Sequence, residues 1–238
     1  MTIPPALSIY PLPGIPEIVP GDPLPDLLAQ ALTECTNGLH PHDILVVTSK
    51  IIAKAEGRLV ALPENEPDAK KRLIFQESQR ILRQRGDLFI TQTQHGLICA
   101  NAGIDQSNTA PDTAVLLPRD PDRSARKLRD KLAARFNTTP FGVVITDTFG
   151  RPWRKGLTDV AIGSAGFAPL LDLRGATDTA GRRLAATEIA ISDEIAAAAD
   201  LVKGKLHGLP AVLVRGLSLT GDGASSDLIR SPQEDLFR

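Results

Sequence analysis

Two aspartates stand where protein chains commonly do chemistry. Asp147 follows the apolar, β-branched run GVVIT (residues 142–146) and precedes Thr148. It is expected where a buried strand feeds a loop, a usual place for functional groups on a rigid element. Asp105 lies in the turn ANAGIDQSN (residues 100–108), among amide and hydroxyl neighbours. Two carboxylates and a threonine hydroxyl are hard oxygen donors, suited to Mg²⁺ held together with phosphate oxygens. Each aspartate also has an ordinary role, Asp105 in an Asx turn and Asp147 as a cap. Spacing alone favours those ordinary roles.

Other groups are weaker by themselves. Lys54 falls on a short predicted helix and could neutralise a phosphate as a point charge, although a solvated lysine is commoner. The segment GIPEI (residues 14–18) could present backbone groups to a nucleotide, or simply turn the chain. His95 is a candidate general base near a hairpin tip. Trp153, in RPWR (residues 151–154), could stack on a flat ring between arginines or anchor packing. No GxxxxGK[ST], GxGxxG, GxSxG or HExxH occurs, so the P-loop, dinucleotide, serine-hydrolase and zincin readings fail.

The elements that must position these groups are mixed. Residues 26–36 carry apolar side chains at helical spacing, and residues 43–48 (DILVVT) read as a buried strand. Ser49 is expected to cap a short helix bearing Ile51, Ile52 and Lys54. Residues 65–85 read as a polar helix, and residues 87–93 and 96–100 as a hairpin. A basic helix is expected over residues 122–136, a strand over 142–146, and a loop over 148–157. An alanine-rich helix is expected over 179–206, a strand over 210–215, and a Gly/Ser-rich loop over 221–226. The uneven alternation implies an α+β fold rather than a doubly wound sheet, with no linker dividing the chain.

Composition narrows the class. The 238 residues are 42% hydrophobic, close to the roughly 45–50% of globular proteins. A net charge of −1 argues against a nucleic-acid partner. The basic run over residues 123–135 is interrupted by Asp130 and apolar residues and reads as a solvated helix face. Cys35 and Cys99 lack metal-site or redox spacing and read as a helix and a strand residue. No run reaches 18 apolar residues, and the proline-rich residues 1–25 lack a signal-peptide pattern. A soluble cytoplasmic protein is the expectation.

Six ordered segments together resemble the coenzyme F420-0:L-glutamate ligase (F420 γ-glutamyl ligase) family. They are LPGIPEIVPGD (12–22), DILVVTSKIIAKAEGR (43–58), HGLICANAGIDQSN (95–108), VVITDTFGRPWRKG (143–156), TDVAIGSAG (158–166) and RRLAATEIAISDEIAAAADLVKGK (182–205). They span nearly the whole chain, which reads as one stand-alone ligase module over residues 1–238. The resemblance implies a family-specific fold of two intertwined lobes and a homodimer. It implies GTP as co-substrate, the deazaflavin F420 precursor and L-glutamate as the other substrates, and an acyl-phosphate intermediate. It implies two Mg²⁺ or Mn²⁺ ions, with K⁺ a further candidate. By the same resemblance Asp105, Asp147 and Thr148 are the metal ligands. Ile15, Pro16, Glu17, Ile18, Ser49, Lys54 and Asn108 are the GTP contacts. The base that takes the glutamate proton stays unassigned. Two alternatives share these residues: ligation of another amino acid or acceptor, and a non-catalytic GTP and metal sensor. Membrane association is not expected.

Overall fold

Short β-branched runs alternate with amphipathic helices along the chain, and the computed structural model, which describes residues 6–63, 65–66, 68–107 and 109–236, follows that punctuation. In chain order the elements are β1 (Ser8–Pro11), α1 (Leu24–Thr36), β2 (Ile44–Thr48), α2 (Ser49–Ala55), β3 (Leu59–Ala61), α3 (Ala69–Glu77), β4 (Ser78–Arg85), β5 (Leu88–Thr93) and β6 (Ile98–Ala100). There follow β7 (Thr113–Val115), α4 (Pro121–Phe136), β8 (Gly142–Arg151), β9 (Arg154–Ala165), β10 (Leu171–Asp172), β11 (Glu188–Ile189), α5 (Ile191–Lys203) and β12 (Ala211–Arg215). The fold is α+β, as the sequence implies.

A five-stranded sheet in the order β1-β12-β2-β8-β9 forms the centre. Only the β2–β8 pair is parallel. Strand alternation sorts its side chains between two cores. Leu45, Val47, Val143, Ile145 and Leu213 pack against α1, α2 and α4. Ile44, Val46, Val144, Val212 and Val214 pack against Ile195, Ala196 and Ala199 of α5. Leu28, Leu32, Leu45 and Leu213 are fully buried, and each such side chain contributes about 2 kcal/mol of hydrophobic free energy.

Helix ends follow local chemistry. In α1, Leu24, Leu28, Ala31 and Leu32 form the buried stripe, and Asn37 ends the helix in the left-handed conformation. In α4, the Asp120 carboxylate accepts from the Arg123 amide at 2.8 Å and caps the helix. The α4 basic run does present a solvated face, with Ala125, Leu128 and Leu132 inward. The N-terminal turn of α4 presses on β9 at Gly163, where an added Cβ would lie 2.5 Å from the Pro121 carbonyl.

Between α2 and α4 the chain builds a smaller apolar core from Leu62, Ile74, Phe89, Ala102, Ile104, Ala114 and Leu116. Here the predicted helix over 65–85 is corrected. Only Ala69–Glu77 is helical, while Ser78–Arg85 becomes β4 and pairs antiparallel with β5. Leu73, Ile74, Ile81 and Leu82 fit a helical period, but ladder bonds to β5 prevail over that local pattern. The helix expected over 179–206 is also shorter. Residues 171–189 fold back as an antiparallel arm through β10 and β11, and α5 begins at Ile191. The expected loop over 148–157 is instead a hairpin, because β8 continues through Arg151 and pairs with β9.

Candidate functional site

The register of the parallel pair creates the site. Thr48 of β2 lies opposite Thr146 of β8. The next residue on one side is Ser49, which opens α2, and on the other is Asp147. Asp147 therefore sits at the carboxyl edge of the parallel pair, although its strand runs on. Ser49 does not cap α2 with its side chain; Thr48 holds the cap position. The Ser49 hydroxyl instead donates to the Asp147 carboxylate at 3.1 Å.

The neighbouring residue of α2 reaches the second aspartate. The Lys50 ammonium lies 2.7 Å from Asp105 Oδ2, and it also donates to the carbonyl and hydroxyl of Ser107 at 2.8 and 2.9 Å. Asp105 forms the Asx turn as well, accepting from the Ser107 amide at 2.7 Å. Its backbone is pinned to Val115 by two hydrogen bonds of 3.0 and 2.8 Å. One helical turn further along α2, the buried Lys54 ion-pairs with the exposed Glu17 carboxylate of the GIPEI segment. Ile18 is fully buried and Ile15 packs on the main core, so that segment is anchored by its apolar residues and by α2. Pro16 stands between them with an exposed ring.

Electrostatics set the two aspartates apart. Burial pushes the Asp147 carboxyl from its ordinary 3.8 to about 6. The negative charges of Asp159 and Asp105 push the same way, while the Ser49 hydroxyl and the Thr148 amide oppose them. Burial also works against ionisation of Asp105, but the Lys50 and Ser107 hydrogen bonds prevail and hold it below the ordinary value. Among the described residues, Asp105 thus has a cation beside it and Asp147 has none.

Thr148 goes elsewhere. In a strand successive side chains face opposite ways. Asp147 faces α2 with Ile145 and Phe149, whereas Thr146 and Thr148 face the α5 side. The Thr148 hydroxyl donates to Asp159 Oδ1 at 2.6 Å, and Thr146 donates to Asp159 Oδ2 at 2.9 Å. Lys203 at the end of α5 completes a buried ion pair with Asp159 at 2.7 Å and donates to Thr146 at 2.6 Å. Lys205 also hydrogen-bonds the Thr148 hydroxyl. The structure therefore brings Asp105, Asp147, Ser49, Lys54 and the 15–18 segment around α2, and it turns the Thr148 hydroxyl away from the two aspartates. Asn108 lies outside the described residues.

Two other candidates are constrained. His95 donates from Nε2 to the Pro118 and Arg119 carbonyls, at 2.9 and 3.1 Å, which commits its ring to that backbone. Trp153 is 84% exposed at the β8–β9 tip, so it anchors no core in this chain. The sequence reading missed Lys50, Ser107, Asp159 and Lys203. Lys50 had a signal, being adjacent to Ser49. Asp159 and Lys203 emerge only with the hairpin register and the docking of α5.

The donor chemistry suits a hard cation. Among the described residues no three His, Cys, Asp or Glu side chains converge to hold a metal by themselves. Two carboxylates and nearby hydroxyls leave coordination positions for phosphate oxygens and water, the arrangement Mg²⁺ favours beside a nucleotide. The residues fit an ion that arrives with a polyphosphate better than one held permanently.

Sequence comparison places the chain that carries this oxygen-rich site. Residues 14–216 match the family described as F420-0:Gamma-glutamyl ligase. The chain is 39% identical to the coenzyme F420:L-glutamate ligase of Methanopyrus kandleri, covering 98% of both chains. It is 39% identical to that of Methanothermobacter thermautotrophicus, covering 98% of this chain and 99% of the relative. It is 36% identical to that of Archaeoglobus fulgidus, covering 98% and 96%. The chain belongs to the F420-0:γ-glutamyl ligase family.

Proposed function

We propose that this protein joins L-glutamate to the coenzyme F420 precursor, using GTP and divalent metal. The supporting observation is the grip of one short helix on three parts of the site. Ser49 holds Asp147, Lys50 holds Asp105, and Lys54 holds Glu17 of the 15–18 segment. A nucleotide bound along α2 would meet the 15–18 segment, Lys54 and the two aspartates.

The chemistry explains the need for such a site. A carboxylate is a poor electrophile. Attack of an acceptor carboxylate oxygen on the γ-phosphorus expels GDP and yields an acyl phosphate. The glutamate amine then attacks the carbonyl carbon, the amine loses a proton, and phosphate leaves. Mg²⁺ or Mn²⁺, two ions in this reading, would offset charge on the transferring group. Asp105 and Asp147 would supply the protein's side-chain oxygens, and Lys54 a fixed positive charge. The Thr148 hydroxyl bonds Asp159 on the opposite face of β8. By the same family resemblance Asn108 would be a further nucleotide contact, with K⁺ a candidate accessory ion.

The enzyme acts in the cytoplasm as a homodimer in this reading. No helix among the described residues is long and apolar enough to cross a membrane. Exposed Phe75, Ile81, Leu88 and Ile98 near the β4–β6 sheet offer apolar surface that a second copy could cover; light scattering of the purified protein tests this. The function itself is tested by incubating the enzyme with the precursor, GTP, Mg²⁺ and a panel of amino acids. A product one glutamyl residue heavier, formed only with GTP, supports the proposal. Incorporation of another amino acid would replace the substrate, and GTP binding without phosphate release would point to a sensor.

A further inference from the structure

Lys50 is an unexpected feature of the site. Its ammonium occupies the Asp105 carboxylate, where a hard cation would also bind, and it is tied down by the carbonyl and hydroxyl of Ser107. Its side chain is 19% exposed, so the ion pair is partly shielded from water. Ser49, the preceding residue, touches the other aspartate. Consecutive Cα atoms are about 3.8 Å apart, so the Lys50 stem springs from α2 directly beside the residue that holds Asp147.

We propose that Lys50 is a further phosphate-binding residue, which keeps Asp105 neutralised until a metal-bound nucleotide arrives and then transfers its charge to the polyphosphate. This rests on the GTP and metal reading above. The physical basis is competition. An ammonium and a divalent cation repel each other, and both seek the same carboxylate oxygen. When the ion takes Asp105, the lysine must leave. Its four-carbon stem lets the charge swing while the backbone stays fixed in α2. The anion that enters with the metal is the polyphosphate, which accepts the displaced ammonium. Metal and nucleotide binding thereby become coupled: the nucleotide rewards the lysine movement that metal alone must force.

The test is Mn²⁺ binding followed by electron paramagnetic resonance, without nucleotide and with a non-hydrolysable GTP analogue, for wild type, Lys50→Met and the surface control Lys131→Met. GTP kinetics accompany it. Lys50→Met is expected to bind Mn²⁺ alone about tenfold more tightly, to lose most of the tightening by the GTP analogue, and to show kcat/KM for GTP lowered at least about tenfold. Lys131→Met should match wild type. Lys50→Gln, which retains hydrogen-bonding capacity toward Ser107, serves if Lys50→Met does not fold. Unchanged or weaker Mn²⁺ binding in a folded Lys50 variant, or unchanged GTP kinetics, would overturn the inference while leaving the site intact. Wild type that binds neither Mn²⁺ nor the GTP analogue would overturn the functional reading as well.

Discussion

Replacing Asp147 with asparagine should inactivate the enzyme and, without metal, make it more stable. Burial first, and then the charges of Asp159 and Asp105, raise this carboxyl from 3.8 to about 6. Each pKa unit corresponds to about 1.4 kcal/mol, so ionised Asp147 costs the metal-free fold about 3 kcal/mol. The sign follows from linkage. The folded protein holds this proton more tightly than the unfolded chain does. The cost is therefore absent below about pH 4, grows up to about pH 6, and is complete above that. The asparagine side chain carries no charge, and its amide oxygen can still accept from Ser49. Urea unfolding with a chelator present should show Asp147→Asn more stable by up to about 3 kcal/mol near pH 8, with the gain gone near pH 4. Turnover should fall at least about a hundredfold, as for loss of a metal ligand. A variant less stable than wild type near pH 8, or a gain that persists unchanged near pH 4, would refute this electrostatic account.

Three further outcomes follow from the same structure. Lys54→Met should raise KM for GTP at least about tenfold, read from initial rates, because the phosphate-side charge is lost while α2 keeps its apolar packing. Asp159→Ala should cost about 3–5 kcal/mol in denaturant unfolding by leaving the Lys203 ammonium buried without its carboxylate, and Asp159→Leu with Lys203→Met should recover most of it. Burial opposes ionisation of Asp159, but Lys203 and the threonine hydroxyls prevail and hold its carboxyl below the ordinary value. The stability it supplies is therefore present above the ordinary carboxylate range and lost as pH falls through the lowered pKa, so the Asp159→Ala deficit should shrink in acid. Alkylation of the native protein should modify exposed Cys35 and spare Cys99, whose thiol burial pushes up to about 12; mass spectrometry distinguishes them.

Three strands of the central sheet, β2, β8 and β12, were legible because they are short apolar runs such as ILVVT and GVVIT, which burial on both faces demands; β1 and β9 were not read as strands. The sequence misled where two periods compete. Ile81 and Leu82 fit a helix as well as a strand, and only pairing with β5 decides between them. The run after Asp147 contains glycine and proline and reads as a loop, yet cross-strand pairing with β9 makes it a hairpin. In the site, Ser49, Asp105, Asp147 and Lys54 were legible as residues but their partners were not. Lys50 looked like any surface lysine until Asp105 was placed beside it. Thr148 looked like a companion to Asp147, but strand alternation sends adjacent side chains to opposite faces.

In the proposed reading, α2 assembles one nucleotide and metal site that serves glutamate ligation. Mass spectrometry of the product from precursor, L-glutamate, Mn²⁺ and GTP, run beside Asp147→Asn, tests it most directly. Wild type should give a glutamylated product and stoichiometric GDP, the variant neither above background, and no product should form without GTP. Product formed at wild-type rate by Asp147→Asn, or formed without any nucleoside triphosphate, would contradict it.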